Sequence, residues 1–130
     1  MKIKIFFSII IILVLGSIIT IVSKNSAPKT SSKYDSFAIC LKDKGAVFYG
    51  AFWCTHCKAQ KELFGSSEKL LSYVECSTPD AQEQTQICKE KDIKGYPTWI
   101  FADDTRLSGE IPLVTLAEKT GCVLPPEIPQ

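Results

Sequence analysis

The chain has 130 residues, enough for one domain of ordinary size. Its 15 basic and 14 acidic side chains leave a formal charge of +1, which removes the electrostatic case for a nucleic-acid partner. Six residues are cysteine. An even set in a small domain suits an oxidising compartment, because cytosolic thiols are kept reduced.

Ile5 to Ser23 carries no charge and is mostly Ile, Leu, Val and Phe. As a helix it would reach roughly 28 Å, close to the ~30 Å hydrocarbon core of a bilayer. A cleaved signal peptide competes, since Lys2 and Lys4 form a basic start. Its apolar stretch, however, normally covers only ~7–15 residues and ends at a small-x-small site. The expectation is therefore an N-terminal membrane anchor, or uncleaved signal, over 1–23. Lys24, Lys29 and Lys33 follow the apolar run closely, so the positive-inside rule does not orient it. The cysteines do: a single-pass protein of the cell membrane is expected, with its globular part extracytoplasmic. Residues 24–33, KNSAPKTSSK, are small and polar with one Pro and read as a flexible linker. The domain is expected over 34–124, followed by a loose Pro-rich tail over 125–130.

Within the domain, Tyr34 to Lys44 has apolar residues at helical spacing, and Gly45 is placed to end that helix. Ala46 to Trp53 is a compact apolar run rich in aromatics, read as a buried strand. Thr55 to Phe64 holds good helix formers, and Gly65-Ser66-Ser67 interrupts it. Tyr73 to Cys76 reads as a second strand and Ala81 to Lys91 as a helix. Gly95-Tyr96-Pro97 breaks the chain. Thr98 to Ala102 and Arg106 to Gly109 flank an Asp103-Asp104 turn as strands. Pro112 to Thr120 is a closing helix stopped by Gly121. The first two strands, joined through a helix, should be parallel with a right-handed crossover, and the last two antiparallel. The fold class is α/β, a mixed four-stranded sheet covered by helices and preceded by one transmembrane helix. No internal repeat, phosphate-cradling Gly-rich loop or HExxH-type motif occurs.

The chemistry concentrates in FWCTHCKAQKELFG. Cys54 stands where a strand gives way to a helix, so free backbone N–H groups and the helix dipole favour a thiolate there. The thiolate is the form that attacks a disulfide. Cys57 lies almost one turn later, so Cys54 can attack a substrate and Cys57 can release it by a second exchange. Cys54 is expected to be the more exposed and more acidic thiol. His56, the only histidine, would stabilise that thiolate as an imidazolium and make the disulfide more oxidising; the plainer reading is an exposed polar residue. Thr55 offers at most a hydroxyl. Structural zinc commonly uses two close cysteine pairs, and this chain has one. A c-type haem site needs His directly after the second Cys, where Lys58 stands. No metal and no cofactor beyond the Cys54–Cys57 disulfide is expected.

WCTHC after an apolar strand, with GYPT some forty residues later, resembles the thioredoxin superfamily. The closer resemblance is to the thioredoxin-like, protein disulfide isomerase-like domain of bacterial vitamin K epoxide reductase homologues. It is carried by YGAFWC-x-HC, Gln60, Phe64-Gly65, YVEC at 73–76, Cys88 and GYPTW at 95–99, across about 46–121. It implies a thioredoxin-like fold, Cys54 as nucleophile, Cys57 as resolving thiol, a cis Pro97 facing Cys54, and a Cys76–Cys88 disulfide. Geometry at an X–Pro bond does not follow from sequence, since only ~5–6% are cis. A second bridge, Cys40–Cys122, is expected to tie the first helix to the last residues. Thr55 replaces the proline usual in these domains, so no redox potential carries over. Phe48 stands where many thioredoxins bury an aspartate, which leaves the base assisting Cys57 unidentified. With one membrane span in this chain, a quinone-reducing helical bundle would have to be a separate protein.

The expected function is a membrane-tethered, extracytoplasmic thiol–disulfide oxidoreductase that oxidises or isomerises disulfides of exported proteins. Trp53 and Tyr96 are expected to touch substrate. The expected partners are exported protein thiols and disulfides, the membrane through residues 5–23, and a quinone-linked redox protein of the vitamin K epoxide reductase kind. Reduction of partner disulfides is the near alternative. A Cu(I) or Zn(II) carrier using Cys54, Cys57 and His56, or an inert interaction module presenting Trp53 and Tyr96, are rivals of other classes.

Overall fold

The computed structural model describes residues 31–126. Helix α1 is Asp35–Asp43, strand β1 Val47–Gly50, helix α2 Thr55–Glu62, followed by a 3-10 helix at Gly65–Leu70 and strand β2 Ser72–Glu75. Helix α3 is Gln86–Glu90, strands β3 and β4 are Thr98–Ile100 and Arg106–Ser108, and helix α4 is Leu113–Thr120. The four strands form one sheet in the order β2-β1-β3-β4. β1 pairs parallel with β2, Val47 against Ser72 through Gly50 against Glu75. It pairs antiparallel with β3, and β3 with β4.

The central strand is covered on both faces, which is why its sequence is a continuous apolar run. Successive side chains of a strand point to opposite faces, and Phe48 and Tyr49 enter different clusters. Phe48 joins Phe37, Leu41, Phe64, Trp99 and Leu116 on one side. Tyr49 joins Ile93, Ile100 and the Cys76 and Cys88 sulfurs on the other. Phe48 stacks on Trp99 with ring centroids 4.9 Å apart and touches the Tyr73 ring at 5.4 Å. Aromatic packing of this kind adds to the area buried.

Helix α1 buries Phe37, Ala38 and Leu41, and Gly45, at φ +76, turns the chain into β1. Its backbone allows that angle without the penalty a side chain would bring, and a Cβ there would also meet Ala102 Cβ at 3.1 Å. Gly121, in the left-handed region, caps α4, its N–H donating to the Ala117 carbonyl. Two expected elements are shorter. The strand expected through Trp53 stops at Gly50, because the Cys54 N–H donates to the Ala51 carbonyl and the Phe52 N–H to Glu75 Oε1, turning the chain. Phe52 and Trp53 are each 49% exposed rather than buried. The helix expected from Ala81 begins only at Gln86. Upstream, Thr78 and Asp80 hydrogen-bond each other and nearby backbone, Ala81 has φ +57, and Ser77 bridges to Gln84. Such local side-chain bonds compete with helix formation.

The expectation of a transmembrane helix preceding this domain is corrected. Among the described residues no helix is long and apolar enough to cross a membrane. The longest, α1 with nine residues, spans roughly 13 Å at the α-helical rise. Segment 5–23, the linker over 24–30 and the end of the tail over 127–130 lie outside the described residues.

Two disulfides brace the domain. Cys40 of α1 bonds Cys122 after α4, 82 positions away, and Cys76 at the end of β2 bonds Cys88 in α3, 12 positions away. Loop-closure entropy assigns the long bridge about 4.5 kcal/mol and the short one about 3 kcal/mol. The double variant Cys40→Ala/Cys122→Ala should therefore lose more stability than Cys76→Ala/Cys88→Ala. Urea unfolding of both, with Cys54 and Cys57 held in one redox state, measures the difference.

Candidate active site

The turn from β1 into α2 makes Cys54 the N-cap of that helix, and its sulfur accepts the Cys57 backbone N–H at 3.2 Å. An N-cap position offers otherwise unpaired donors to an anion. The Cys57 thiol donates to the Cys54 sulfur, the two sulfurs being 2.6 Å apart. Both are free cysteines; Cys54 is 6% exposed and Cys57 1%. Burial, followed by the bond to Cys54, pushes the Cys57 thiol up to about 12. Both sulfurs are therefore largely enclosed, Cys54 on a backbone donor at the helix start and Cys57 protonated behind it.

Two loops frame the opening. The Tyr96–Pro97 peptide is cis, and Tyr96 meets Trp53 edge-to-face with centroids 5.9 Å apart. The residues preceding Cys54 and Pro97 are thus in contact. Trp53 Nε1 donates to Ser77 Oγ at 2.8 Å, and Gln84 Nε2 donates to the Tyr96 hydroxyl at 2.8 Å. Both anchors lie on the loop closed by Cys76–Cys88. Beside the site, Phe52, Lys58, Lys61, Glu62, Gly65 and Glu68 line an open groove of about 560 Å³.

The second loop is 109–111. The Gly109 N–H donates to the Pro97 carbonyl at 2.9 Å. Gln60, wholly buried on α2, accepts the Ile111 N–H at 2.6 Å and donates to the Ile111 carbonyl at 3.0 Å. Between these anchors, Glu110 places Oε1 2.6 Å from His56 Nδ1. His56 is thus turned to a carboxylate, and any charge it carries is paired across an exposed contact. An ion pair of that kind acts on the thiolate as a dipole, which falls off faster than a free charge. Glu110 had no signature in the sequence, because nothing local marks a contact to a residue 54 positions away.

Gly50 was likewise unmarked. A Cβ on it would lie 3.1 Å from Cys57 Sγ and 3.1 Å from Tyr73 Cε2. A side chain there would require the Cys57 sulfur or the Tyr73 ring to shift. Phe48 fills the core between Tyr73 and Trp99 and supplies no carboxylate. Among the described residues no three His, Cys, Asp or Glu side chains converge as metal ligands.

The thioredoxin family profile matches residues 26–118. The chain belongs to the thioredoxin family. A relative, "Thiol-disulfide oxidoreductase LTO1" of Arabidopsis thaliana, is 48% identical over 99 residues, covering 70% of this chain and 26% of that protein. "Protein disulfide-isomerase" of Arthroderma benhamiae is 31% identical over 81 residues, covering 58% of this chain and 15% of that one. The chain thus spans about a quarter or less of the length of these curated relatives.

The raised Cys57 thiol links redox state to pH. Its folded value stands above the ordinary 9.0, so the contribution is complete below about pH 9 and is lost as pH rises towards 12. The dithiol form should lose stability relative to the disulfide form between those limits, measured by denaturant unfolding of each form across pH. Alkylation at neutral pH should modify Cys54 well before Cys57, read by peptide mass.

Proposed function

We propose that this thiol–disulfide oxidoreductase oxidises or isomerises the disulfides of exported proteins outside the cytoplasm. The observation that carries the reading is the paired geometry at the start of α2. Cys54 caps the helix with half-exposed Phe52 and Trp53 beside it and is 6% exposed, while Cys57, at 1%, lies behind. An incoming polypeptide disulfide meets the first sulfur; only the second can reach the resulting mixed disulfide from within. The names of the two relatives, a thiol–disulfide oxidoreductase and a protein disulfide-isomerase, support the same chemistry.

The other four cysteines support this compartment. A domain that depends on Cys40–Cys122 and Cys76–Cys88 suits a place where disulfides persist. The resemblance of YGAFWC, YVEC and GYPTW to the domains attached to bacterial vitamin K epoxide reductase homologues supports a quinone-linked membrane redox protein as the partner that re-oxidises Cys54 and Cys57. Glu110 beside His56 argues for a moderate oxidant, one that can return electrons to a wrong disulfide as well as withdraw them from a dithiol.

The Cys57→Ala variant should accumulate mixed disulfides through Cys54, with exported proteins and with a quinone-linked membrane protein. Isolation under acid quench and mass spectrometry would identify both. Trapping of a membrane partner that draws electrons from cytoplasmic thioredoxin would reverse the direction and make the protein a reductase.

A further inference from the structure

Release of a substrate from Cys54 requires Cys57 as a thiolate, yet Cys57 is enclosed and protonated at neutral pH. The Cys57 N–H serves Cys54, and the Ala51 backbone bond that favours the Cys57 thiolate is outweighed by burial. Phe48 is hydrocarbon. The charged or titratable groups facing Cys57 are Cys54 and Lys61 on α2 and Tyr73 on β2. Glu75 stands immediately behind Tyr73.

Gly50 measures the approach. Cys57 Sγ and Tyr73 Cε2 both lie 3.1 Å from the same point above its Cα, so they are at most twice that distance apart. Cε2 is bonded to the carbon that carries the phenol oxygen. That hydroxyl donates to Glu75 Oε2 at 2.7 Å. The other carboxylate oxygen accepts the N–H groups of Phe52 at 3.2 Å and Ser77 at 2.9 Å. The carboxylate is therefore fixed from one side, with its free capacity directed at Tyr73. Lys61 Nζ lies 3.6 Å from the centre of the Tyr73 ring.

We infer that Glu75 is the proton acceptor for Cys57, reached through the Tyr73 hydroxyl, with the Lys61 ammonium favouring the thiolate. The inference rests on the exchange chemistry proposed above and adds to it the base that position 48 lacks. Burial and the bond to Glu75 hold the Tyr73 phenol well above its ordinary range, so Tyr73 passes a proton on rather than storing charge. Lys61 acts on Cys57 in the opposite sense to burial.

With glutathione disulfide as oxidant the steps balance. The Cys54 thiolate attacks one glutathione sulfur, the glutathione disulfide bond breaks, and one glutathione leaves as thiolate. Cys57 gives its proton through Tyr73 to Glu75, and its thiolate attacks Cys54 Sγ. The Cys54–Cys57 bond forms, the mixed disulfide breaks, and the second glutathione leaves and takes up a proton. The dithiol has lost two electrons and glutathione disulfide has gained them.

The test follows the lifetime of the Cys54–glutathione adduct after rapid mixing of the reduced protein with glutathione disulfide, acid quench and mass spectrometry. General-base assistance is typically worth ~10²–10⁴-fold; Glu75→Gln should lengthen the adduct lifetime at least about tenfold near pH 7. Adduct formation should keep its wild-type rate, and the two proteins should converge as pH rises towards the ionisation of Cys57 itself. Tyr73→Phe should also lengthen the lifetime. Lys61→Met, which removes only a half-buried ammonium, should lengthen it too and covers the case in which Glu75→Gln does not fold. A wild-type lifetime in folded Glu75→Gln, or in Lys61→Met should that be the only variant to fold, overturns the inference. So does a slowing in Glu75→Gln that is the same at every pH. A wild-type protein that forms no adduct at Cys54 overturns the exchange reading together with the inference.

Discussion

The site is organised by the absence of a side chain at Gly50. β1 ends there, pairs with Glu75 across the sheet, and still leaves room for the Cys57 sulfur and a tyrosine ring over the same backbone atom. A Cβ there would lie 3.1 Å from each, so one of them would have to give way. Cys57 is enclosed there, and because it is enclosed its thiol keeps its proton. The asymmetry between the two cysteines is thus a packing consequence before it is an electrostatic one. Cys54, only three residues away, caps the helix and accepts the Cys57 backbone N–H.

Gln60 adds the second fixed point. A buried amide is costly unless its donor and acceptor are both engaged, and Gln60 engages both on a single residue, Ile111. That pairing joins the helix carrying the cysteines to the loop before α4. The same loop reaches the carbonyl of Pro97 through Gly109. Helix, proline loop and the loop carrying Glu110 are thus hydrogen-bonded in series. Tertiary contacts, rather than any local propensity, decide where Glu110 and His56 meet.

Much of this was legible in the sequence, and the failures have physical causes. Helical spacing from Tyr34 to Lys44 and the apolar run at 46–50 located α1 and β1, because periodicity reports the buried face directly. The parallel β1–β2 and antiparallel β3–β4 pairings followed from their connections, whereas the antiparallel β1–β3 pairing had no local signal. Phe52 and Trp53 continued the apolar run and so read as strand, although two hydrogen bonds turn them out to the rim; composition cannot tell a core aromatic from one at a binding edge. The helix expected at Ala81 was lost to side-chain bonds of Thr78 and Asp80. In the site, CxxC and GYPT were visible as motifs. Glu110 and the role of Gly50 depend on side chains brought together over long sequence separations, which a single sequence does not display.

The bridge between Cys40 and Cys122 has a mechanical side. Tension applied to the two ends of the domain passes from α1 through the sulfurs directly to the residues after α4, since their Cα atoms are 5.9 Å apart. The 82 positions between them represent roughly 280 Å of extended chain at 3.3–3.6 Å per residue, and none of it can be drawn out while the bond holds. The sheet and the two reactive sulfurs sit inside that closed loop and bear no load. Pulled by its flanks, the domain is a short, stiff link in the oxidised state and a long, extensible one once the bridge is reduced.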